Sequence, residues 1–226
     1  MKQLYSGKTK DVFESNGELL LRFKDSVTGE DGRIDPGANN VLGQVEGKGN
    51  ASLRLSSYFF HKFIQQGIPN HFISAKPEEN MMVVKKAETF GAGLEFICRL
   101  KAYGSFLRRY GAYAKELQDL NYLVEITLKD DLRGDPLLNE DTLIALGIMN
   151  AHEVYTAKEL TQKATKLVEN ELKQKELQLI DIKFEFGRVN GEVVVIDEVS
   201  GDNMRVRDKN GNFLLQKELC AFMLDA

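Results

Sequence analysis

Residues 179–207 read LIDIKFEFGRVNGEVVVIDEVSGDNMRVR, and the rest of the chain is organised around this stretch. Apolar Ile180, Ile182, Phe184 and Phe186 alternate with Asp181, Lys183 and Glu185. Side chains two apart in a strand share a face, so one face carries carboxylate, ammonium, carboxylate and the other is apolar. Asn190-Gly191 signals a hairpin, and residues 193–199 return as a second strand carrying Asp197. A two-residue loop would pair Phe184 with Asp197 and put that carboxylate on the apolar face. A three-residue loop ending on Gly191 as a bulge would pair Lys183 with Asp197 and bring it beside Asp181 and Glu185. The three-residue loop is expected, because an unpaired carboxylate in a core is costly. Carboxylates converging around one lysine suit Mg²⁺, which takes one or two carboxylates plus water and phosphate oxygens. The alternative is a solvated outer face with ordinary strand charges.

The 226 residues allow one large domain or two small ones. With 42% hydrophobic and 28% charged residues the chain is an ordinary globular protein with enough apolar material for a core. A net charge of −4 argues against a general nucleic-acid or membrane-surface role. No apolar run reaches spanning length and no secretory leader is visible, so a cytoplasmic setting is expected. Cys98 and Cys220 lack metal-type spacing and read as buried thiols.

Outward from the hairpin, the opening LYSGKTKDVFE (4–14) and NGELLLRFKD (16–25) predict short strands, with Asn16-Gly17 as a hairpin turn. Lys8 and Lys10 share a strand face beside Gly7. They are either a polyphosphate grip or an exposed basic edge. Residues 26–50 are rich in glycine and predict a long ordered loop or a pair of tight turns. Gly47-Lys48-Gly49 reads as an anion-holding turn opening a helix capped by Asn50. That helix runs to Gln66 with Leu53, Tyr58, Phe59, Phe63 and Ile64 as a core stripe.

Strands are expected within 71–76, 81–88 and 93–100, and Lys85-Lys86 is either a solvated end or a hinge beside a nucleotide. Arg99 ends the last strand, and Gly104-Ser105 opens a helix carrying Arg108 and Arg109. A hydroxyl, backbone N–H groups and a guanidinium suit a monophosphate, against the plainer alternative of a cap with surface arginines. Asp141 or Thr142 is expected to cap a short helix, and Thr156–Glu159 a long one ending near Gln174. The polar turn 200–208 offers Asp202 as acceptor and Arg205 as anion clamp. A last helix covers 214–224.

Taken in order, YSGKTKD (5–11), Arg99 with Gly104-Ser105, LKDD (128–131) with DPLLNE (135–140), DIKFEFG (181–187) and DEVSGDNMR (197–205) resemble the SAICAR synthetase family over about residues 4–210. The resemblance implies an α+β, ATP-grasp-like fold of two lobes built on antiparallel sheets with flanking helices. Residues 1–87 would form an N-terminal lobe covering ATP, and 88–226 a C-terminal lobe with the metal and substrate site. It also implies a ligase condensing 5-amino-4-carboxyimidazole ribonucleotide (CAIR) with L-aspartate at the expense of ATP, with Mg²⁺. A paralogous amide ligase and a catalytically silent nucleotide-binding protein are the alternatives.

On matching positions the resemblance assigns Lys8, Lys10, Val12, Lys85 and Lys129 to the nucleotide, and Glu185 and Asp197 to nucleotide and metal. Arg99, Ser105 and Arg205 fall to the ribonucleotide phosphate, and Asp181, Lys183 and Asp202 to the reacting groups. Small-molecule substrates are the expected partners, with no nucleic acid and no membrane; a homo-oligomer is left open. Leu100, Gly201 and Val206 depart from the usual family pattern of asparagine, proline and an aromatic residue. Residues 29–49 are unusual for the family, and the chain reads as a somewhat divergent member with a short C-terminus.

Overall fold

The computed structural model describes residues 1–225. The chain opens with β1 (Lys2–Ser6), β2 (Lys10–Ser15) and β3 (Glu18–Phe23), followed by β4 (Ser26–Glu30), β5 (Arg33–Ile34) and β6 (Asn40–Gln44). Helix α1 (Lys48–Gln65) and strands β7 (Phe72–Lys76) and β8 (Met81–Val84) come next. The first sheet is antiparallel in the order β1-β2-β3-β8-β7. Residues 26–44, expected as a long ordered loop or a pair of tight turns, form a second sheet, β5-β4-β6. Its signal was Asp31-Gly32: both residues have positive φ and close a two-residue turn between the paired Glu30 and Arg33.

Helix α1 begins at Lys48, two residues earlier than Asn50 suggested, because Asp25 caps it from a distance. The Asp25 carboxylate accepts from Gly47 N–H at 3.1 Å and Gly49 N–H at 2.8 Å. Asn50 is free to bond Pro77 O and Asn80 instead.

The second half contains β9 (Glu88–Thr89), β10 (Leu94–Lys101), α2 (Ser105–Tyr110), β11 (Asp119–Leu128), β12 (Leu137–Leu138), α3 (Glu140–Ala145) and α4 (Ala151–Lys173). It closes with β13 (Gln178–Val189), β14 (Glu192–Ile196), β15 (Met204–Arg207) and α5 (Gln216–Leu224). Seven strands form the large sheet: β12-β11-β10-β13-β14, with β9 and β15 also pairing along β13. The alternating stretch is therefore central. Its apolar face (Ile182, Phe184, Phe186) packs in one core with Phe59 and Phe63 of α1 and Ala164, Val168 and Leu172 of α4. Asn139 caps α3, in place of Asp141 or Thr142, and the capping box of α4 is Asn150 with Glu153 instead of Thr156–Glu159. Among the described residues no helix is long and apolar enough to cross a membrane.

The hairpin of β13 and β14 departs from expectation. Val189 pairs with Glu192 and Glu185 with Ile196, so Asn190-Gly191 is a two-residue loop with φ of 52° and 82°. That geometry matches the twist of the flanking strands, which is why Asn-Gly favours it. Continued, this register would set Asp197 opposite Phe184 on the core side. The chain avoids that outcome differently: β14 ends at Ile196 and Asp197 turns left-handed, with φ 66°. Such a turn costs a non-glycine residue about 1–2 kcal/mol, less than an unpaired carboxylate in the core.

Candidate active site

A cavity of about 740 Å³ lies between the two large sheets and beneath the β4–β6 sheet. All thirteen nominated side chains line it. Lys8, Lys10, Val12 and Lys85 come from the first sheet and its ends. Arg99, Ser105, Lys129, Asp181, Lys183, Glu185, Asp197, Asp202 and Arg205 come from the second half.

At one end the polar face of β13 does what its alternation promised. Asp181, Lys183 and Glu185 point into the cavity, and Asp197 joins them through its left-handed turn. Each is matched by an opposite charge. Lys129 Nζ bonds Glu185 at 2.6 Å, Lys183 Nζ bonds Glu95 at 2.7 Å, and Lys10 Nζ stands 3.2 Å from Asp197 while also bonding Glu198. Burial raises the Glu185 carboxyl, and Asp197 raises it further, against the pull of Lys129 and Lys183. Burial acts on Asp197 in the same sense, but Lys10, Lys129 and Lys183 carry it down to about 2. Asp197 is thus held ionised by its lysines, while burial and the Asp197 charge across the cavity disfavour the ionised form of Glu185.

Val12, Leu19, Leu21, Val84 and Ile196 form an apolar wall beside these charges, of the kind that accepts a planar ring. His71 completes this end. Burial pushes its ring down to about 4, so it is neutral, and its Nε2 lies 3.0 Å from the Asp197 carbonyl oxygen.

The other end is built from arginine. Arg99 donates to Glu125 at 2.9 Å, to Asp181 at 2.8 Å and to Ser105 Oγ at 3.0 Å. Arg109 donates to the same Glu125 oxygen at 2.7 Å. Arg205 donates to Asp181 at 2.8 Å and to Asp35 at 2.7 Å. Its guanidinium packs closely against two glycines: a Cβ at Gly37 would stand 2.1 Å from Nη2, and one at Gly104 3.1 Å away. Asp181 is therefore shared by two guanidinium groups.

Asp202 is buried and accepts from Lys48 Nζ at 2.7 Å, Ser52 Oγ at 2.9 Å and Gln216 Nε2 at 3.1 Å. Gly201 accounts for one departure from the family pattern. A Cβ there would meet the Gln216 Cα at 2.9 Å, so glycine lets the first turn of α5 approach and deliver Gln216 to Asp202. Beside it, Asn203 Oδ1 is the one buried side-chain polar atom without a partner among the described residues.

The β4–β6 sheet closes the mouth through polar links. Asp35 holds Arg205, and Asn39 joins Lys8 at 3.3 Å to Asp135 at 2.6 Å. Lys8 also bonds Asp131 at 2.7 Å.

Sequence reasoning missed Asp35, His71, Glu95, Glu125 and Glu198; Lys48, read as part of an anion-holding turn, holds the Asp202 carboxylate. Glu95 was detectable, since it alternates with Ile97 and Arg99 along β10 and so shares their face. Lys48 and Asp35 sit among glycines and reach their partners only through the fold.

Among the described residues no three His, Cys, Asp or Glu side chains converge as a metal cage. Mg²⁺ needs none: one or two carboxylates plus phosphate oxygens and water suffice. Glu185 and Asp197, repelling across the cavity, fit such an ion.

The chain matches the SAICAR synthetase family model over residues 3–219. It is 50% identical over 217 residues to the phosphoribosylaminoimidazole-succinocarboxamide synthase of Clostridium tetani, covering 95% of each chain. A solved SAICAR synthetase superposes with a TM-score of 0.80 at 34% identity, covering 92% of this chain and 87% of the other. A type-2 SAICAR synthetase in complex with ADP gives a TM-score of 0.83 at 29% identity, with coverage of 98% and 90%.

Proposed function

Because this chain belongs to the SAICAR synthetase family, we propose that its cavity seats ATP against the lysine-lined carboxylates and the ribonucleotide phosphate against the arginines. The reaction is the ATP-dependent condensation of CAIR with L-aspartate to SAICAR, ADP and phosphate, in de novo purine biosynthesis. A carboxylate is a poor electrophile, so CAIR is first phosphorylated by ATP, and the amine of aspartate then displaces phosphate. Such chemistry needs charge neutralisation and in-line alignment more than a strong acid or base.

In this reading Lys8, Lys10 and Lys129 exchange their carboxylate partners for phosphate oxygens. Val12 belongs to the apolar wall under the base, and Lys85 lies at its edge. Glu185 and Asp197 would hold Mg²⁺. Bound there, Mg²⁺ neutralises phosphate charge during transfer. Lys183, steadied by Glu95, faces the reacting carboxylate. Asp202, fixed by three donors, orients the amine side of the reaction. Asp181 aligns Arg99 and Arg205, and with Ser105 they grip the ribonucleotide phosphate through charge-assisted hydrogen bonds. Residues 1–87 serve as the cover over ATP and 88–226 as the base, in a cytoplasmic enzyme.

One observation carries the reading: Glu185 and Asp197 open onto the same cavity as Lys10, Lys129 and Lys183, although the sheet register alone would separate the two carboxylates. Glu185→Gln and Asp197→Asn are each expected to abolish ADP formation from ATP, Mg²⁺, CAIR and aspartate while melting close to wild type. Wild-type turnover from either variant removes the metal assignment.

A further inference from the structure

Asp197 enters the cavity by a route that needs support. Left-handed backbone is disfavoured for a residue with a Cβ, and Asp197 adopts it at φ 66° directly after the last residue of β14. Without that turn the carboxylate would follow the register onto the core side, away from Glu185. Something must hold the turn.

The segment ahead of β7 is in place to do so. Val195 N–H donates to Pro69 O at 2.9 Å and His71 N–H donates to Val195 O at 3.0 Å, with Asn70 and Val195 bridged in parallel. This lays residues 69–71 along the end of β14. The His71 imidazole then reaches past the strand end, and its Nε2 meets the Asp197 carbonyl oxygen at 3.0 Å. A carbonyl oxygen only accepts, so Nε2 carries the hydrogen. The ring has little freedom: it is 4% exposed and packs on Phe60 with centroids 5.5 Å apart. Its own backbone carbonyl accepts from Lys85 N–H at 2.7 Å.

We propose that His71 is the positioning residue for Asp197: its Nε2–H pins the Asp197 carbonyl in the left-handed turn and so keeps the carboxylate on the side of Glu185. The ring acts through Asp197 and touches no reacting atom. The inference rests on the assignment of Asp197 to Mg²⁺ above, and the test separates the two.

Mn²⁺ serves as the probe, with free Mn²⁺ followed by electron paramagnetic resonance as the full-length protein is titrated in the presence of ADP. His71→Phe keeps a ring against Phe60 and removes the donor, whereas His71→Gln keeps an N–H at similar reach. Loss of an outer-shell partner of this kind weakens metal binding roughly 10- to 100-fold, and that is the expectation for His71→Phe. Its kcat should fall while KM for CAIR and aspartate moves less than about twofold. His71→Gln should stay within about threefold of wild type in Mn²⁺ affinity, inside the roughly 10-fold floor of a lost outer-shell contact. Where His71→Phe fails to fold, His71→Asn, whose amide stops short of the carbonyl, takes its place.

Asp197→Asn is the reference. If it weakens Mn²⁺ binding and His71→Phe does not, the positioning role is wrong. Equal losses in His71→Phe and His71→Gln also overturn it, because the donor would then be irrelevant. If Asp197→Asn itself leaves Mn²⁺ binding unchanged, the failure lies in the metal assignment.

Discussion

Replacing Lys48 by methionine tests how the first turn of α1 is tied to the active site. The Lys48 ammonium is fully buried and bonds Asp202 at 2.7 Å, and Asp202 is itself only 8% exposed. Lys48→Met conserves most of the volume but leaves Asp202 with two neutral donors, Ser52 and Gln216. Breaking a buried pair by removing one partner costs about 3–5 kcal/mol, because the surviving charge stays out of water. For a chain of this size each kcal/mol shifts Tm by about 2–4 °C, so a fall of about 6–20 °C is expected.

Asp202→Asn should cost a comparable amount, since it strands the ammonium instead. The double variant strands neither charge, so it should be more stable than the two single losses added together, with a coupling of about 0.5–3 kcal/mol. Circular-dichroism melts and urea titrations of the four proteins measure all of this without reference to turnover. A Lys48→Met variant melting within about 2 °C of wild type, less than a single kcal/mol would produce, would refute the reasoning. So would strictly additive losses.

Two further outcomes follow from the geometry already described. Arg205→Ala removes charged donors from the ribonucleotide end and should raise KM for CAIR about 10- to 150-fold, with far less change for ATP; steady-state kinetics varying each substrate decide it, and an effect confined to ATP would mean the two sites are exchanged. His71 is neutral in the fold with its pKa lowered to about 4 by burial, whereas the unfolded chain takes up its proton near pH 6.5, so the unfolded state binds more protons between those values. Stability from this group is full above about pH 6.5 and is lost as pH falls toward 4, by about 3 kcal/mol in all. Urea titrations from pH 7 to 4.5 should show a shallower decline for His71→Gln than for wild type, and equal slopes would contradict the assignment.

Much of this was legible in the sequence, for local reasons. The alternation along 179–186 fixed both faces of β13, because side-chain direction in a strand follows from position alone. The thirteen nominated residues meet in one cavity because the two large sheets face each other across it and present the motifs from their facing strands and adjoining turns. The hairpin loop was misjudged for an instructive reason. Two registers do not exhaust the possibilities: the chain keeps the loop that Asn-Gly favours and moves Asp197 by leaving the sheet. Asp31-Gly32 carried the same turn chemistry but stood in a run of glycines that read as loop. The start of α1 was illegible, since its cap is Asp25, more than twenty residues upstream. Lys48 and Asp35 show no periodicity, and their partners Asp202 and Arg205 lie 154 and 170 positions away.

The links that close the mouth of the cavity have a mechanical consequence. Asp35 and Asn39 grasp Arg205 and Lys8, the same cations assigned to the incoming anions, while Val41 and Leu42 on the adjoining strand remain exposed and bury little. Under the proposed assignment, a phosphate that recruits either cation would unfasten the roof above it. Part of each substrate's intrinsic attraction would be offset by that release, so tightening the roof without touching the pocket would weaken substrate capture.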